Sequence, residues 1–434
     1  MRPRLRPAWL ALALCAAVAL AARPRPHVLK RRNPTYAALS DSSLDHLVAL
    51  SDLDDSLDWS RPETPLAKLL VPRPVGSANL TRLQAMVEHH FADLGWHVEK
   101  DTFDDETPYG TKSFTNLVFT HDPSAPRRLV LSAHLDSKFF PTHPEDQFVG
   151  ATDSAAPCAM LLDLATALTP WLDARKQRVD DAGGEEGREG QGESLQIIFF
   201  DGEEAFKDWT HTDSIYGARH LAKKWGATTD HSPQPVRATP RSPLRRISHL
   251  VLLDLLGAPN PLLRNFFVPT GWLFDEFVHA EERLGLAGHL WQGLDGDAYT
   301  AKKGETGARE RSFFVSRGSG VSAYAGQIED DHLPFLREGV PIVHLISVPF
   351  PRVWHTIKDD AVALDLPTVK AWALIIRLAV AEYLGLDPSA PIPNLNSPTE
   401  VKRDPRDLVR SLSLSLTLYT LVPSTASPFS EHVH

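Results

Sequence analysis

Apolar positions along the chain fall into two patterns. Short unbroken runs at 129–133, 197–200, 249–254 and 341–346 read as strands buried on both faces. Between them the apolar residues recur at helical spacing. Over 79–95 they are Leu83, Met86, Val87, Phe91 and Leu94, with Gly95 as the stop. The same spacing predicts helices over 150–168, 213–224 and 272–284, and a long one over 366–384 closed by Gly385 and Pro388. A short helix headed by Glu329-Asp330-Asp331-His332 runs to Arg337, and the lead-in over 23–76 holds one or two short helices. Residues 96–103 and 115–120 add two strands, the first alternating as a half-exposed edge does. Strands alternating with helices imply an α/β fold: a mostly parallel central sheet with helices on both faces, in three layers. Right-handed crossovers then bring the C-terminal ends of the strands to one rim.

The polar residues that interrupt this pattern sit at those ends. His134, Glu203-Glu204 and Asp254 each follow an apolar run, and 341–346 leads on to His355. Adjacent carboxylates repel, and a metal gives the pair separate tasks: one ligates while its neighbour handles protons. Asp153, Glu204 and His355 supply one imidazole and two carboxylates, a donor set for tetrahedral zinc with a position left for substrate. Each residue alone has a plainer reading. Asp153 could cap the helix that follows, Asp254 could accept amides of the next turn, and His355 could be a buried histidine bonded to a carbonyl. A Glu pair also suits a helix N-terminus. Together on one rim, unpaired buried carboxylates would be costly.

Composition narrows the class. With 434 residues, 42% apolar and 23% charged, the chain reads as a soluble globular protein. A net charge of −10 argues against nucleic acid as a partner. Arg2, Arg4 and Arg6, the apolar run 8–22 and Ala19-Leu20-Ala21 read as a signal peptide over 1–21, shorter than the roughly 20 apolar residues of a membrane span. The expectation is a secreted protein without a stable membrane span. The alternative is an uncleaved N-terminal anchor in the Golgi or endoplasmic reticulum. Cys158 is the one thiol left after Cys15 is removed, and Asn79-Leu80-Thr81 is a usable glycosylation site. The organisation expected is one catalytic domain over 22–390, with loop insertions at 174–194 and 227–246 and a Pro/Ser-containing tail over 391–434.

The ordered blocks HLDSKFF (134–140), FVGATDSAAPCAM (148–160), FFDGEEAFKDW (199–209), DSIYGARHLA (213–222), LLDLLGAPNP (252–261), IEDDHLPFLREGVP (328–341) and VPFPRVWHT (348–356) carry a resemblance. Over about 40–385 the chain resembles the animal-type glutaminyl-peptide cyclotransferases, within the zinc aminopeptidase-like α/β proteins. The resemblance implies one zinc on Asp153, Glu204 and His355, with Glu203 as the proton shuttle assisted by Asp254 and Asp330. It implies a pocket walled by Trp209, Phe350 and Trp354, and no second zinc on His134 and Asp254. It also implies action on peptides and proteins with N-terminal glutamine; the chain itself is expected to be a monomer. The chain departs from the family at Ala133, which faces Cys158 and precludes the disulfide expected there. The two insertions and the tail have no counterpart in the resemblance. The competing readings are a secreted two-metal aminopeptidase, kept open by His134 and Asp254, and a binding protein that has lost catalysis.

Overall fold

The structure, a computed structural model, describes residues 38–181, 192–228, 242–290, 302–303, 309–310, 312–315 and 328–387. The expected signal peptide, the tail and the central parts of both insertions lie outside the described residues.

Six strands form the main sheet: β1 (His97–Thr107), β2 (Gly110–Thr120), β3 (Arg127–His134), β4 (Glu193–Phe200), β5 (Ile247–Asp254) and β8 (Ile342–Ile346), in the order β1-β2-β4-β3-β5-β8. The four strands β4, β3, β5 and β8 are parallel, and β1–β2 is an antiparallel hairpin along one edge. A separate pair joins β6 (Lys302–Lys303) to β7 (Arg309–Glu310). The hairpin extends beyond the two apolar segments that predicted it, because its outer half is polar and exposed, Asp104 pairing with Ser113.

Alternation along the parallel strands fills both faces. Ile197 and Phe199 of β4 point into one core with Leu131 of β3, Leu253 of β5 and Leu345 of β8. Ile198 and Phe200 point into the other with Val130, Leu252 and Ile342. The first face carries α4 (Ala78–Asp93), α5 (Ala156–Asp181), α8 (Gly271–Leu286) and α10 (Leu366–Leu384), and three short helices, α1 (Asp41–Val48), α2 (Asp54–Leu57) and α3 (Pro65–Leu69), pack at its edge. The second face carries α6 (Tyr216–Ala227), α7 (Pro243–Arg246) and α9 (His332–Arg337).

Helix α10 is apolar around most of its circumference because it is buried on nearly every side, and Gly385 ends it in the left-handed conformation. Its Arg377 meets Asp163 of α5 in a fully buried two-pronged ion pair, Nε to Oδ2 at 2.9 Å and Nη2 to Oδ1 at 2.5 Å. Helix α5 continues well past the expected end near 168, with Pro170 inside it. Leu172 and Ala174 keep it packed against the core, and that burial outweighs the lost amide donor. Among the described residues one apolar helical stretch, Glu145–Arg178, has the length and composition to cross a membrane, yet 83% of its apolar window is buried within the fold.

Candidate metal centre and active site

As expected, His134, Asp254 and the segments leading to Glu203-Glu204 and His355 leave the sheet along one rim. The turn after β4 depends on Gly202, whose φ is +70° and whose missing Cβ would lie 2.4 Å from the Phe114 ring. Beneath it Asp136 receives three consecutive amides: Gly202 N–H (3.0 Å) and Glu203 N–H (3.2 Å) on Oδ1, and Glu204 N–H (3.3 Å) on Oδ2. No helix starts at the glutamate pair, since the next one begins at Tyr216. Its carboxylates are therefore not there to cap a helix.

Asp153 lies in an irregular segment, 151–155, that precedes α5, so it does not cap the helix either. Gly150 turns the chain into this segment at φ +62°, where a Cβ would strike the Asp153 carbonyl at 2.1 Å. Two side chains fix the segment from below. The buried Arg73 guanidinium donates to Leu135 O (2.6 Å), to Gly150 O (3.1 Å) and to Val149 O. Asp359 accepts the amides of Ala151 on its carbonyl and of Thr152 on its carboxylate, both at 2.9 Å. Arg73 sits in the Pro-rich lead-in and carries no signal of this role in the sequence.

Asp153, Glu204 and His355 converge. His355 Nε2 is 3.3 Å from Glu204 Oε2 and 3.5 Å from Asp153 Oδ2. Ligands at zinc distances of about 2.0–2.2 Å, arranged tetrahedrally, stand about 3.3–3.6 Å apart. Asp153 Oδ2 and Glu204 Oε1 are buried with no hydrogen-bond partner, which is costly unless a cation satisfies them. The three residues therefore fit a zinc ion by spacing, by donor chemistry and by the unmet need of Asp153 Oδ2 and Glu204 Oε1, although Glu204 Oε2 also accepts from the Lys138 ammonium at 3.3 Å. Trp354 stacks on the His355 ring at 3.8 Å and Phe148 meets its edge, so the imidazole is held in place.

A second group of ligand atoms, on His134, Asp153 and Asp254, is also close enough to share a metal, and Asp330, His332 and His344 make a third among the described residues. Atoms of the second group have hydrogen-bond partners within the protein, whereas in the third Asp330 Oδ2, His332 Nδ1 and His344 Nε2 are buried without a hydrogen bond. His134 Nε2 is 2.9 Å from Asp153 Oδ1, and Asp254 Oδ1 accepts the Ser154 hydroxyl at 2.5 Å and the Leu255 amide at 2.8 Å. His344 Nε2 is 2.8 Å from Asp330 Oδ2. Burial opposes a charge on His134, but Asp136, Asp153, Asp254 and Glu203 around it raise its pKa well above the ordinary histidine value. Burial pushes His344 down to about 4 and, with His344 beside it, lowers His332 as well.

Glu203 lives in a different setting from its neighbour. Burial above all, with Asp330, Glu204 and Asp331 adding to it against the opposing charge of His134, raises its carboxyl well above the usual range. Asp330 is raised by burial and then by Asp254, and Asp331 by burial and then by Asp330. Glu203, Asp254 and Asp330 thus form one electrostatically linked carboxyl group, joined to Ser154 and His344. Those two partners escape a reading of the sequence, though a histidine inside the apolar strand Val343-His344-Leu345 is a usable signal.

Of the expected pocket residues, Phe350 and Trp354 touch edge to face at 5.0 Å. Trp209 comes from the loop after β4, and its indole N–H donates to Glu329 Oε2 at 3.0 Å, next in sequence to Asp330. Trp209 and Trp354 are each 39% exposed. Ala133 and Cys158 are both buried, and the Cys158 thiol donates to His134 O at 3.0 Å in place of a disulfide.

Comparison with known proteins agrees with this geometry. Residues 116–380 match peptidase family M28. The chain is 42% identical over 326 residues to glutaminyl-peptide cyclotransferase of Bos taurus, covering 75% of this chain and 82% of that protein. The chain belongs to the glutaminyl-peptide cyclotransferase family. The Drosophila melanogaster member is 41% identical, with 80% of this chain and 86% of that one covered. The crystal structure of Macrostomum lignano glutaminyl cyclase superposes with a TM-score of 0.63 at 36% identity, covering 81% of this chain and 95% of that one. Membership in this family and in M28 accounts for the mostly parallel sheet and for a rim that collects carboxylates and histidines. As a member of the cyclotransferase family the chain is an enzyme of the M28 zinc-dependent fold.

Proposed function

We infer that this enzyme converts the N-terminal glutamine of peptides and proteins to pyroglutamate, releasing ammonia, at a centre where Asp153, Glu204 and His355 hold one zinc ion. The observation that carries the reading is the unlike setting of two adjacent glutamates. Glu204 turns to His355, with an unpartnered buried oxygen, while Glu203 belongs to the carboxyl group of Asp254 and Asp330. Zinc bound there supplies a Lewis acid for the side-chain carbonyl of the substrate glutamine.

The chemistry is intramolecular. The glutamine α-amine forms a bond to its own side-chain carbonyl carbon, the C–N bond to the amide nitrogen breaks, and a five-membered lactam and ammonia result. The protein's work is to fold the substrate into that ring and to move one proton. Glu203 takes the proton from the attacking nitrogen and returns it to the departing one, so the enzyme ends as it began. A carboxyl raised toward neutrality is suited to both halves of that exchange. Asp254, held by the Ser154 hydroxyl, and Asp330, beside His344, share protons with Glu203 and keep it poised. Trp209, Phe350 and Trp354 enclose the small side chain and exclude water.

The test is to incubate purified protein with Gln-headed and Leu-headed peptides and to follow ammonia and free amino acid. Ammonia from the Gln peptide alone is the expected result. Free leucine without ammonia would make the chain an aminopeptidase.

The Arg-led apolar run supports entry into the secretory pathway, and the chain is expected to act as a monomer. A mature N-terminus at residue 22 in the medium and a one-chain mass in solution are expected. A membrane-held chain that keeps residues 1–21, or a dimer, would overturn the respective point.

A further inference from the structure

Trp209 is positioned in two stages. The turn before it is rigid, because Asp213 accepts the amides of Phe206 (2.9 Å), Lys207 (2.9 Å) and Asp208 (3.1 Å) and also the Tyr216 hydroxyl (2.8 Å). The indole itself is exposed, and among the described residues its hydrogen bond goes to the exposed carboxylate of Glu329. Glu329 precedes Asp330, and the two side chains diverge. Asp330 is buried beside His344, while Glu329 is exposed at the Trp209 indole. A peptide whose first side chain lies between the half-exposed Trp209 and Trp354 must pass its next residue out beside one of these indoles. At Trp209 that residue meets a carboxylate.

We propose that Glu329 is a specificity-determining residue that favours substrates with a cationic residue directly after the N-terminal glutamine and disfavours acidic ones. The inference rests on the glutaminyl reading of the site. It follows from two effects of one side chain. As an acceptor, Glu329 holds the Trp209 wall in place for every substrate. As a charge, it attracts a lysine or arginine and repels a glutamate at the mouth. The site is open to water, so the effect is modest: an exposed pair a few ångströms apart is worth roughly fivefold, and salt screens it.

The experiment compares kcat/KM for Gln-Lys, Gln-Ala and Gln-Glu peptide amides at low and at high salt, in the wild type, Glu329→Gln and Glu329→Ala. The wild type should rank them Lys over Ala over Glu, with the spread shrinking at high salt. Glu329→Gln keeps an acceptor for the indole N–H but carries no charge, so its spread should collapse at low salt. Glu329→Ala should lose the spread too and raise KM for all three, since the indole is released. A spread in Glu329→Gln equal to that of the wild type overturns the proposal, as does a wild type that treats the three peptides alike. A wild type that releases no ammonia from any of them overturns the glutaminyl reading itself, and this inference with it.

Discussion

The Asp136 carboxylate accepts the amide of Glu204 at 3.3 Å, and through its other oxygen it accepts those of Gly202 and Glu203. One buried side chain thus sets the backbone on which both functional glutamates are displayed. Asp136→Asn retains one acceptor oxygen and turns an amide donor toward N–H groups. Partners that orient metal ligands typically change metal affinity by about 10–100-fold when altered. A loss of that size, read by competition with a chelator, is the expected outcome. Unchanged zinc affinity would mean the turn holds its shape without Asp136.

Acid should weaken the fold through His344. Its pKa lies at about 4 in the folded protein against 6.5 for the free side chain, because burial disfavours the imidazolium. Between those values the unfolded chain binds the extra proton, so stability is full above 6.5 and is lost as pH falls toward 4. His344→Gln keeps a polar side chain beside Asp330 but does not titrate. Its stability relative to the wild type should improve by up to about 3 kcal/mol across that interval, measured by denaturant unfolding at each pH. A difference independent of pH would show that His344 does not bury a neutral ring.

Far from the site, Arg377 and Asp163 tie α10 to α5 with both groups out of water. Removing one partner strands a buried charge, which typically costs about 3–5 kcal/mol. Asp163→Ala should lower unfolding stability by that amount and leave zinc content at one per chain. A cost below about 1 kcal/mol, the range of surface pairs, would mean that water reaches the stranded guanidinium.

The parts of this structure legible in the sequence are those where one periodicity dominates. The apolar runs of β3, β4, β5 and β8 and the uniform burial of α10 left no competing pattern, and the resemblance blocks placed the rim residues in order. The rest depended on contacts distant in sequence. The outer half of the β1–β2 hairpin is polar on both faces, so alternation does not announce it. The continuation of α5 beyond Pro170 is decided by packing against the core. Arg73, Asp136 and Asp359 act by receiving or donating to backbone groups of other loops, a role that no local pattern encodes. Glu203 and Glu204 are alike in local pattern, so the sequence separates them only through the resemblance; in the structure Glu204 faces His355 at 3.3 Å, while burial and the charges of Asp330 and Asp331 raise the Glu203 carboxyl.

That division of labour is tested most directly in Glu203→Gln, assayed for zinc content and for kinetics on one preparation. The amide preserves the shape of the side chain but cannot accept the proton. Zinc should remain at one per chain, because Asp153, Glu204 and His355 are intact, and KM should change little. The kcat should fall by about 10²–10⁴-fold, the usual effect of losing a general acid–base group. Glu204→Ala, made alongside, should lose the metal. A Glu203→Gln enzyme that loses its zinc, or one that keeps it with near-normal kcat, would contradict the assignment of ligand and proton shuttle to the two glutamates.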